Sequence, residues 1–379
     1  MMLSGMHANS TTRRTLSASA QLLRRFHLDG MLLGLLGTVI LFGLFVRYSA
    51  AGENVGQWIN QLERLLLAMA SLVLLAQIPP PWLRRISPLL YGVGVLLLLL
   101  VALHGSVGKG AQRWLDLHLF RFQPSEIMKL AVPMMCAWYV HERPLPPSLR
   151  DVMSMLLIIA VPAVLIAKQP DLGTALLVAS AGILVVFLAG LSAIVITAGA
   201  IITAAAVPIA WHFMHDYQRN RVLTFLDPSQ DPLGAGYHSI QSQIALGSGG
   251  LFGKGWTHGS QAQLEFLPER STDFIFAVIG EELGLVIQLG LLLLYLAIVA
   301  RALYLSVGAQ NTYARLVCGS FALTFFVYVF VNTGMVSGIL PVVGVPLPLI
   351  SYGGTAMVTL LASFGILMSL HRHRQLVGA

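Results

Sequence analysis

Between residues 31 and 370 the sequence is a succession of apolar runs, and no other feature limits its fold so severely. A hydrocarbon core about 30 Å thick is crossed by about 20 helical residues, and within it every backbone N–H and C=O must find a partner inside the protein. Stretches that meet or approach this length fall near 31–49, 62–79, 88–105, 125–141, 151–168, 172–190, 191–211, 273–300, 313–335 and 350–370. They predict an all-α polytopic membrane protein with about ten transmembrane helices. A soluble globular chain is excluded by composition: 56% of the 379 residues are hydrophobic and 10% charged, too few charges to solvate an ordinary surface. The fourth stretch is short and carries Glu126 and Lys129, and only Gly190, Leu191 and Ser192 divide the sixth from the seventh.

Arginine sets the orientation. Arg13, Arg14, Arg24 and Arg25 precede the first span, Arg84 and Arg85 lie in the second connection, Arg143 and Arg150 in the fourth, and Arg301 and Arg315 bracket the eighth; all fall on one side if spans alternate. Arg372 and Arg374 put the C-terminus on that side too, which the positive-inside rule makes cytoplasmic. An even number of spans requires both termini on one face, so the agreement supports ten. The formal charge of +7 is then explained by attraction to an anionic leaflet, and no nucleic-acid partner is needed. Ser49, Ala50 and Ala51 faintly resemble a signal-peptidase site, but cleavage there would spoil the even count, so the segment is expected to be retained. Cys136 and Cys318 both fall in apolar spans and support no disulfide framework or zinc site. The expected organisation is a cytoplasmic tail over 1–27 and a single membrane domain over 28–379, with a large extracytoplasmic loop at 212–272 between helices 7 and 8.

Function is expected to face outward, because the outer connections at 105–125, 212–272 and 335–352 are long or rich in Gly and Pro. In the first of them Lys109, Arg113 and Arg121 are cations against the topological bias, with Trp114 among them. One reading is an interfacial belt of aromatic and snorkelling side chains. The other is a cradle for a diphosphate, since guanidinium forks match phosphate oxygens and an indole face stacks on a sugar. Glu126 and Lys129 lie three apart on one helical face. Each costs about 2.5–3.5 kcal/mol inside an apolar span, so they are expected to pair and face a cavity, as a structural ion pair or as a substrate contact. Asp171, after Lys168, Gln169 and Pro170, is a candidate helix cap.

The run Gly247, Gly249, Gly250, Gly253, Gly255 carries no nucleotide-binding signal, because no strand precedes it. It reads instead as a flexible, close-approach loop. Asp273 stands at the lip of the next apolar span, beside Glu269 and Arg270. It is either an N-cap, work that Ser271 or Thr272 could do, or a carboxylate placed to take a proton from a hydroxyl. Glu281 and Glu282 lie roughly 12–14 Å deeper at about 1.5 Å per residue, and read as interhelical hydrogen-bonding groups. The segment LPVVGVPLPLISYGG, which contains Ser351, is too broken by Pro to be helical and too apolar to be free in water. It is expected to be a re-entrant cap lining a cavity.

With these residues in view, the chain resembles the SEDS family (shape, elongation, division and sporulation), through RWLDL and QPSEIMKL, KQPDLGTALL, QSQIALGSGGLFGKGW, QLEFLPERSTDFIFAVIGEELG and NTGMVSGILPVVGVPLPLISYGG. These segments occur in order from about residue 105 to 355, and the GKGW and QLEFLPER forms are closer to the elongation branch than to the division branch. The resemblance implies a ten-helix glycosyltransferase that polymerises the disaccharide-pentapeptide precursor lipid II into glycan strands. It also implies a complex with a class B penicillin-binding protein (a transpeptidase) and with other membrane proteins of the elongation machinery. The family usually reads His-Thr-Asp where this chain has Ser271, Thr272 and Asp273, so a histidine at that position is not required here.

No nucleotide sugar exists outside the cell, so energy for a glycosyl transfer there must arrive with a lipid diphosphate. The resemblance implies an α-linked donor and a β-1,4 product, hence one inverting displacement, with Asp273 as general base on the acceptor hydroxyl. Arg113, Arg121 and Lys129 would hold diphosphate charge, Trp114, Glu126, Arg270 and Ser351 would contact substrate, and a divalent cation (Mg or Mn) would be compatible although no ligand cluster is visible. Two other classes stay open. A lipid-linked precursor flippase would depend on Glu126, Lys129, Glu281 and Glu282 and tolerate Asp273→Asn; a non-catalytic transpeptidase scaffold would tolerate changes at all of them.

Overall fold

The computed structural model describes residues 26–372, except 53–54, 109–110, 117–120, 192, 215–218, 220–222, 224–234, 265 and 268. Most of the expected tail, the arginines before the first span, Arg374, Lys109 and the centre of the 212–272 loop therefore lie outside the described residues.

The long helices are α1 (Gly30–Ala50), α2 (Val55–Ala76), α3 (Pro80–His104), α4 (Pro124–Val140), α5 (Leu149–Lys168), α6 (Leu172–Leu188), α7 (Ala193–Phe213), α10 (Ile275–Val307), α11 (Thr312–Val336) and α12 (Gly354–Arg372). Two shorter ones, α8 (Ala235–Ser248) and α9 (Ser260–Gln263), lie between α7 and α10. Seven helices among the described residues are long and apolar enough to cross a membrane, which makes this a multi-pass membrane protein. The architecture is not purely helical. β1 (Ser106–Gly108), β2 (Ala111–Asp116) and β3 (Arg121–Phe122) form a small antiparallel sheet in order β1-β2-β3, which pairs the backbone of the polar connection between α3 and α4.

The helices are apolar on nearly every side because each meets either lipid or another apolar helix. α11 and α12 are the inner ones, with 72% and 67% of their most apolar windows buried, against 22% for α3. α10 runs along α11, α12 along α2, α3 along α4 and α5 along α6. Polar residues act at the ends. Asp29 caps α1 by accepting from the Leu32 amide, and its carboxylate takes two bonds, 2.8 and 3.1 Å, from Arg301 near the end of α10. Arg372 at the end of α12 approaches the same carboxylate at 3.9 Å. The start of α1 and the ends of α10 and α12 thus share one end of the bundle.

α10 departs from the expected span at 273–300. At about 1.5 Å per residue its 33 residues would form a rod of about 50 Å, well beyond a hydrocarbon core of about 30 Å. The helix is broken at Gly284, where φ is 79° and ψ 178°. The break exposes backbone groups that an unbroken helix would pair, and the glycine run takes them up. Lys254 and Gly255 amides donate to the Glu281 and Glu282 carbonyls at 2.9 and 3.0 Å, while the Leu285 and Val286 amides donate to the Gly250 and Leu251 carbonyls at 3.0 and 3.2 Å. Close approach is real here: a Cβ at Gly253 would lie 2.2 Å from the Glu282 carbonyl oxygen. The expectation of a flexible loop is corrected, since the segment's backbone is laced into the break from both sides.

Candidate active site

Asp273 occupies the turn that leads into α10, half-buried. The N-cap position falls on Phe274 and carries no side-chain cap bond, so capping does not account for the carboxylate. Three consecutive carbonyls fix this turn. That of Ser271 accepts from the Tyr352 amide at 2.8 Å, that of Thr272 from the Ser351 hydroxyl at 2.5 Å, and that of Asp273 from the Asn332 side-chain amide at 2.8 Å. Ser351 in turn accepts from the Leu347 amide at 2.8 Å, and Asn332 donates its second hydrogen to the Val345 carbonyl at 2.7 Å. The Pro-rich segment 337–353 is therefore a scaffold bonded to α11, to the Asp273 turn and, through Tyr295 to the Pro348 carbonyl at 2.6 Å, to α10. A Cβ at Gly344 would meet Asp273 Oδ2 at 3.4 Å, so the carboxylate faces this segment's backbone.

Arg270 lies three residues before Asp273 in the same turn, its Nη2 3.2 Å from where a Gly52 Cβ would be just past the end of α1. Thr272 donates to the Glu269 carboxylate at 2.8 Å and to its carbonyl at 3.1 Å, which tightens the turn. His238 on α8 stacks on Phe274 at 5.8 Å, and its burial lowers the imidazole pKa against the opposing pull of the Glu269 carboxylate.

The second group of candidates sits on β2, α4 and α6. Arg113 on β2 donates to the Pro170 carbonyl at 2.9 Å and approaches Asp171 at 3.5 Å. Asp171 also caps α6, accepting from the Thr174 amide at 3.2 Å, and takes a bond from Gln123 at 3.1 Å. Trp114 is half-buried beside Arg113, and the Arg121 side chain lies outside the described residues. One turn into α4, Lys129 donates to Glu126 at 2.7 Å and lies 5.5 Å from the Tyr328 ring centroid. Both members of the pair are 7% exposed, and Glu126 Oε2 has no hydrogen-bond partner. The pair is thus buried inside the protein and away from lipid.

The two groups meet through the Pro-rich segment. The first turn of α6 packs so closely on it that a Cβ at Gly173 would lie 2.5 Å from the Val343 carbonyl oxygen, one residue from the glycine that faces Asp273. Glu281 and Glu282 serve the latch over the broken helix. Glu281 accepts from Lys254 at 2.8 Å, from Ser260 at 3.1 Å and from the Gln261 amide at 3.0 Å, and Glu282 accepts from Ser49 of α1 at 2.6 Å.

Sequence reasoning missed Asn332, a lone amide in an apolar span, and the arginines Arg47 and Arg64. Polar side chains within spans are costly enough that each marks a function or a bond, and that rule would have found Asn332.

In comparisons with known proteins, residues 24–376 match the family described as cell cycle protein, of FtsW, RodA and SpoVE type. The peptidoglycan glycosyltransferase MrdB of Escherichia coli (strain K12) is 52% identical over 354 residues, covering 93% of this chain and 96% of that protein. A solved chain of a peptidoglycan synthase complex, described for its structural coordination of polymerization and crosslinking, superposes with TM-score 0.81 at 34% identity, over 92% of this chain and 98% of its own. The rod shape determining protein RodA of Thermus thermophilus gives TM-score 0.70 at 30% identity over 92% and 98%.

Proposed function

This chain belongs to the FtsW/RodA/SpoVE family and is a peptidoglycan glycosyltransferase, the glycan polymerase of the cell-elongation machinery, and we propose that Asp273 is the base of its reaction. One observation carries this reading: three successive hydrogen bonds to the carbonyls of Ser271, Thr272 and Asp273 hold a carboxylate that no helix cap requires. A base must be held where its substrate's hydroxyl arrives, and backbone anchoring supplies that.

In the proposed step the Asp273 carboxylate takes the proton of the acceptor sugar's 4-hydroxyl as that oxygen forms its bond to the donor's anomeric carbon. The bond from that carbon to the diphosphate breaks, the electron pair leaves with the lipid diphosphate, and configuration inverts. Asp273 then releases the proton to water. Lys129 and Arg113 supply positive charge for the diphosphate, with Trp114, Glu126, Arg121 and Arg270 in contact with substrate. Among the described residues no three His, Cys, Asp or Glu side chains converge to hold a metal ion. A divalent cation, Mg or Mn, carried by the diphosphate would offset part of its charge.

We place ten spans in the bacterial inner membrane with both termini cytoplasmic and the Asp273 turn outward. The salt bridges that gather Asp29, Arg301 and Arg372 at one end support the alternation. The partner proposed is a class B penicillin-binding protein, whose single membrane helix would dock on α10 and α11. A groove of about 660 Å³ supports this site, lined by Leu246, Leu251, Leu289, Leu292, Phe330 and Ile339. The test is glycan polymerisation by the purified chain with lipid II and no other enzyme. Polymer formation is expected; none, with or without the transpeptidase, would remove the polymerase reading.

A further inference from the structure

Arg47, in the last turn of α1, is 2% exposed, and none of its three guanidinium nitrogens meets a hydrogen-bond acceptor. Its Cζ lies 4.6 Å from the centroid of the Tyr352 ring, and that of Arg64 on α2 lies 4.5 Å from the same centroid. Two cations therefore share one aromatic ring. Arg113, Lys129, Lys254 and Arg301 each face a carboxylate. Among the described residues Arg47 and Arg64 do not.

An aromatic face attracts a cation but cannot replace an anion, and two like charges on one ring repel across a poorly screened interior. Ionisable groups within membrane spans pair with one another or with backbone carbonyls, or else mark the path of a substrate or ion. Here the surroundings point to what that is. The Arg47 guanidinium is closed in by Ile40, Leu44, Leu65 and Met357 with no space beside it for even a water molecule, so an anion reaches it only when α1 and α2 part. On the outer faces of the same two helices Leu41, Phe45, Leu62 and Leu66 are exposed as lipid-facing surface. An anion that suits this place carries an apolar chain to lie along α1 and α2, and oxygens that accept from a planar fork, which is the geometry of phosphate.

We propose that Arg47 and Arg64, arrayed on Tyr352, form a binding site for a lipid-borne phosphate. The proposal rests on the polymerase reading for its relation to catalysis: the Tyr352 amide bonds the Ser271 carbonyl, so the site is tied to the turn that carries Asp273. The phosphate can belong to the polyprenyl diphosphate carrier or to an anionic phospholipid headgroup, and the chemistry of recognition is shared.

The experiment uses the full chain in phosphatidylcholine nanodiscs, titrated separately with polyprenyl diphosphate and with phosphatidylglycerol, with binding read by native mass spectrometry and thermal stability measured alongside. Arg47→Met is expected to weaken binding of the occupying lipid roughly ten- to hundredfold, and Arg47→Lys less, because a lysine keeps charge but loses the fork. Without added lipid Arg47→Met should be at least as stable as the native chain, since it removes a buried cation without a partner. Loss confined to the diphosphate assigns the site to the carrier, and loss confined to phosphatidylglycerol assigns it to the headgroup; either supports a phosphate site. Unchanged binding of both lipids, or a lipid-free Arg47→Met that is clearly less stable, overturns it. Polymerisation of lipid II by the native chain is scored in parallel. If the chain polymerises while Arg47→Met binds normally, this site alone is wrong; if the chain does not polymerise, the polymerase reading fails whatever the binding shows.

Discussion

Asn332 is the residue whose removal separates holding Asp273 from being Asp273. Its side chain is fully buried in α11, and its amide spans two carbonyls, Asp273 at 2.8 Å and Val345 at 2.7 Å. Asn332→Leu keeps the approximate shape and strands both acceptors. A buried acceptor left without a donor costs about 1–3 kcal/mol in soluble proteins, and side-chain bonds within membranes average about 0.6 kcal/mol, so the pair of bonds is worth about 1–6 kcal/mol. If about 2 kcal/mol of that is expressed as misplacement of the carboxylate in the transition state, kcat falls roughly thirtyfold. The KM for lipid II should stay within about threefold, because the diphosphate contacts are assigned to another part of the site. Ser351→Ala, which releases the Thr272 carbonyl and leaves the Leu347 amide without its acceptor, should act in the same direction. Steady-state polymerisation by purified variants, with thermal midpoints alongside, reads the effect. A kcat within twofold of native for Asn332→Leu would refute the positioning argument, as would a loss recovered in full at a temperature where the variant is completely folded.

Lys129→Met should destabilise the fold by about 3–5 kcal/mol by leaving the Glu126 carboxylate buried and unpaired, and the double change with Glu126→Gln should restore the thermal midpoint but not polymerisation. If the double variant polymerises normally, the pair is structural only. Gly253→Ala combines a Cβ 2.2 Å from the Glu282 carbonyl with φ of 79°, so it should open the latch over the α10 break at a cost of at least about 1–3 kcal/mol, seen as faster hydrogen exchange at the Leu285 and Val286 amides. Unchanged exchange there contradicts the latch. Because burial lowers the folded His238 pKa below that of the unfolded chain, the unfolded state binds the proton first, and stability should fall as pH drops from about 6.5 through the folded value. A His238→Gln variant whose thermal midpoint shows the same slope in that window would rule this out.

The positions of the long helices were legible because hydropathy records what each backbone segment must satisfy within lipid, and the structure's helices lie within a few residues of most of those runs. Where the structure differs, backbone geometry decided. Gly284 follows Glu281 and Glu282 in an otherwise apolar run, and those acids read as interhelical hydrogen-bonding groups rather than as a break; the further signal was a stretch too long for one span, with unexplained glycines some thirty residues earlier. β1–β3 were equally hidden, because a short polar connection carries no periodicity. Asp273 and the Glu126–Lys129 pair stood out as charges where charge is costly. The partners of Asp273 did not, since Asn332 and Ser351 are ordinary polar residues whose meaning comes from which carbonyl they reach. Arg47 was obscured differently: at the end of a span an arginine reads as an interfacial anchor, and only its burial without an acceptor sets it apart.

The central claim is that the Asp273 carboxylate removes the proton from the acceptor hydroxyl. Asp273→Asn preserves size and leaves the three backbone bonds of the turn in place, but an amide cannot take up that proton. The decisive measurement is glycan polymerisation from lipid II by the purified Asp273→Asn protein, with thermal stability and transpeptidase binding confirmed as native. The expected result is no polymer from a folded, complex-forming protein, while polymer at a rate within about tenfold of native would show that another group is the base.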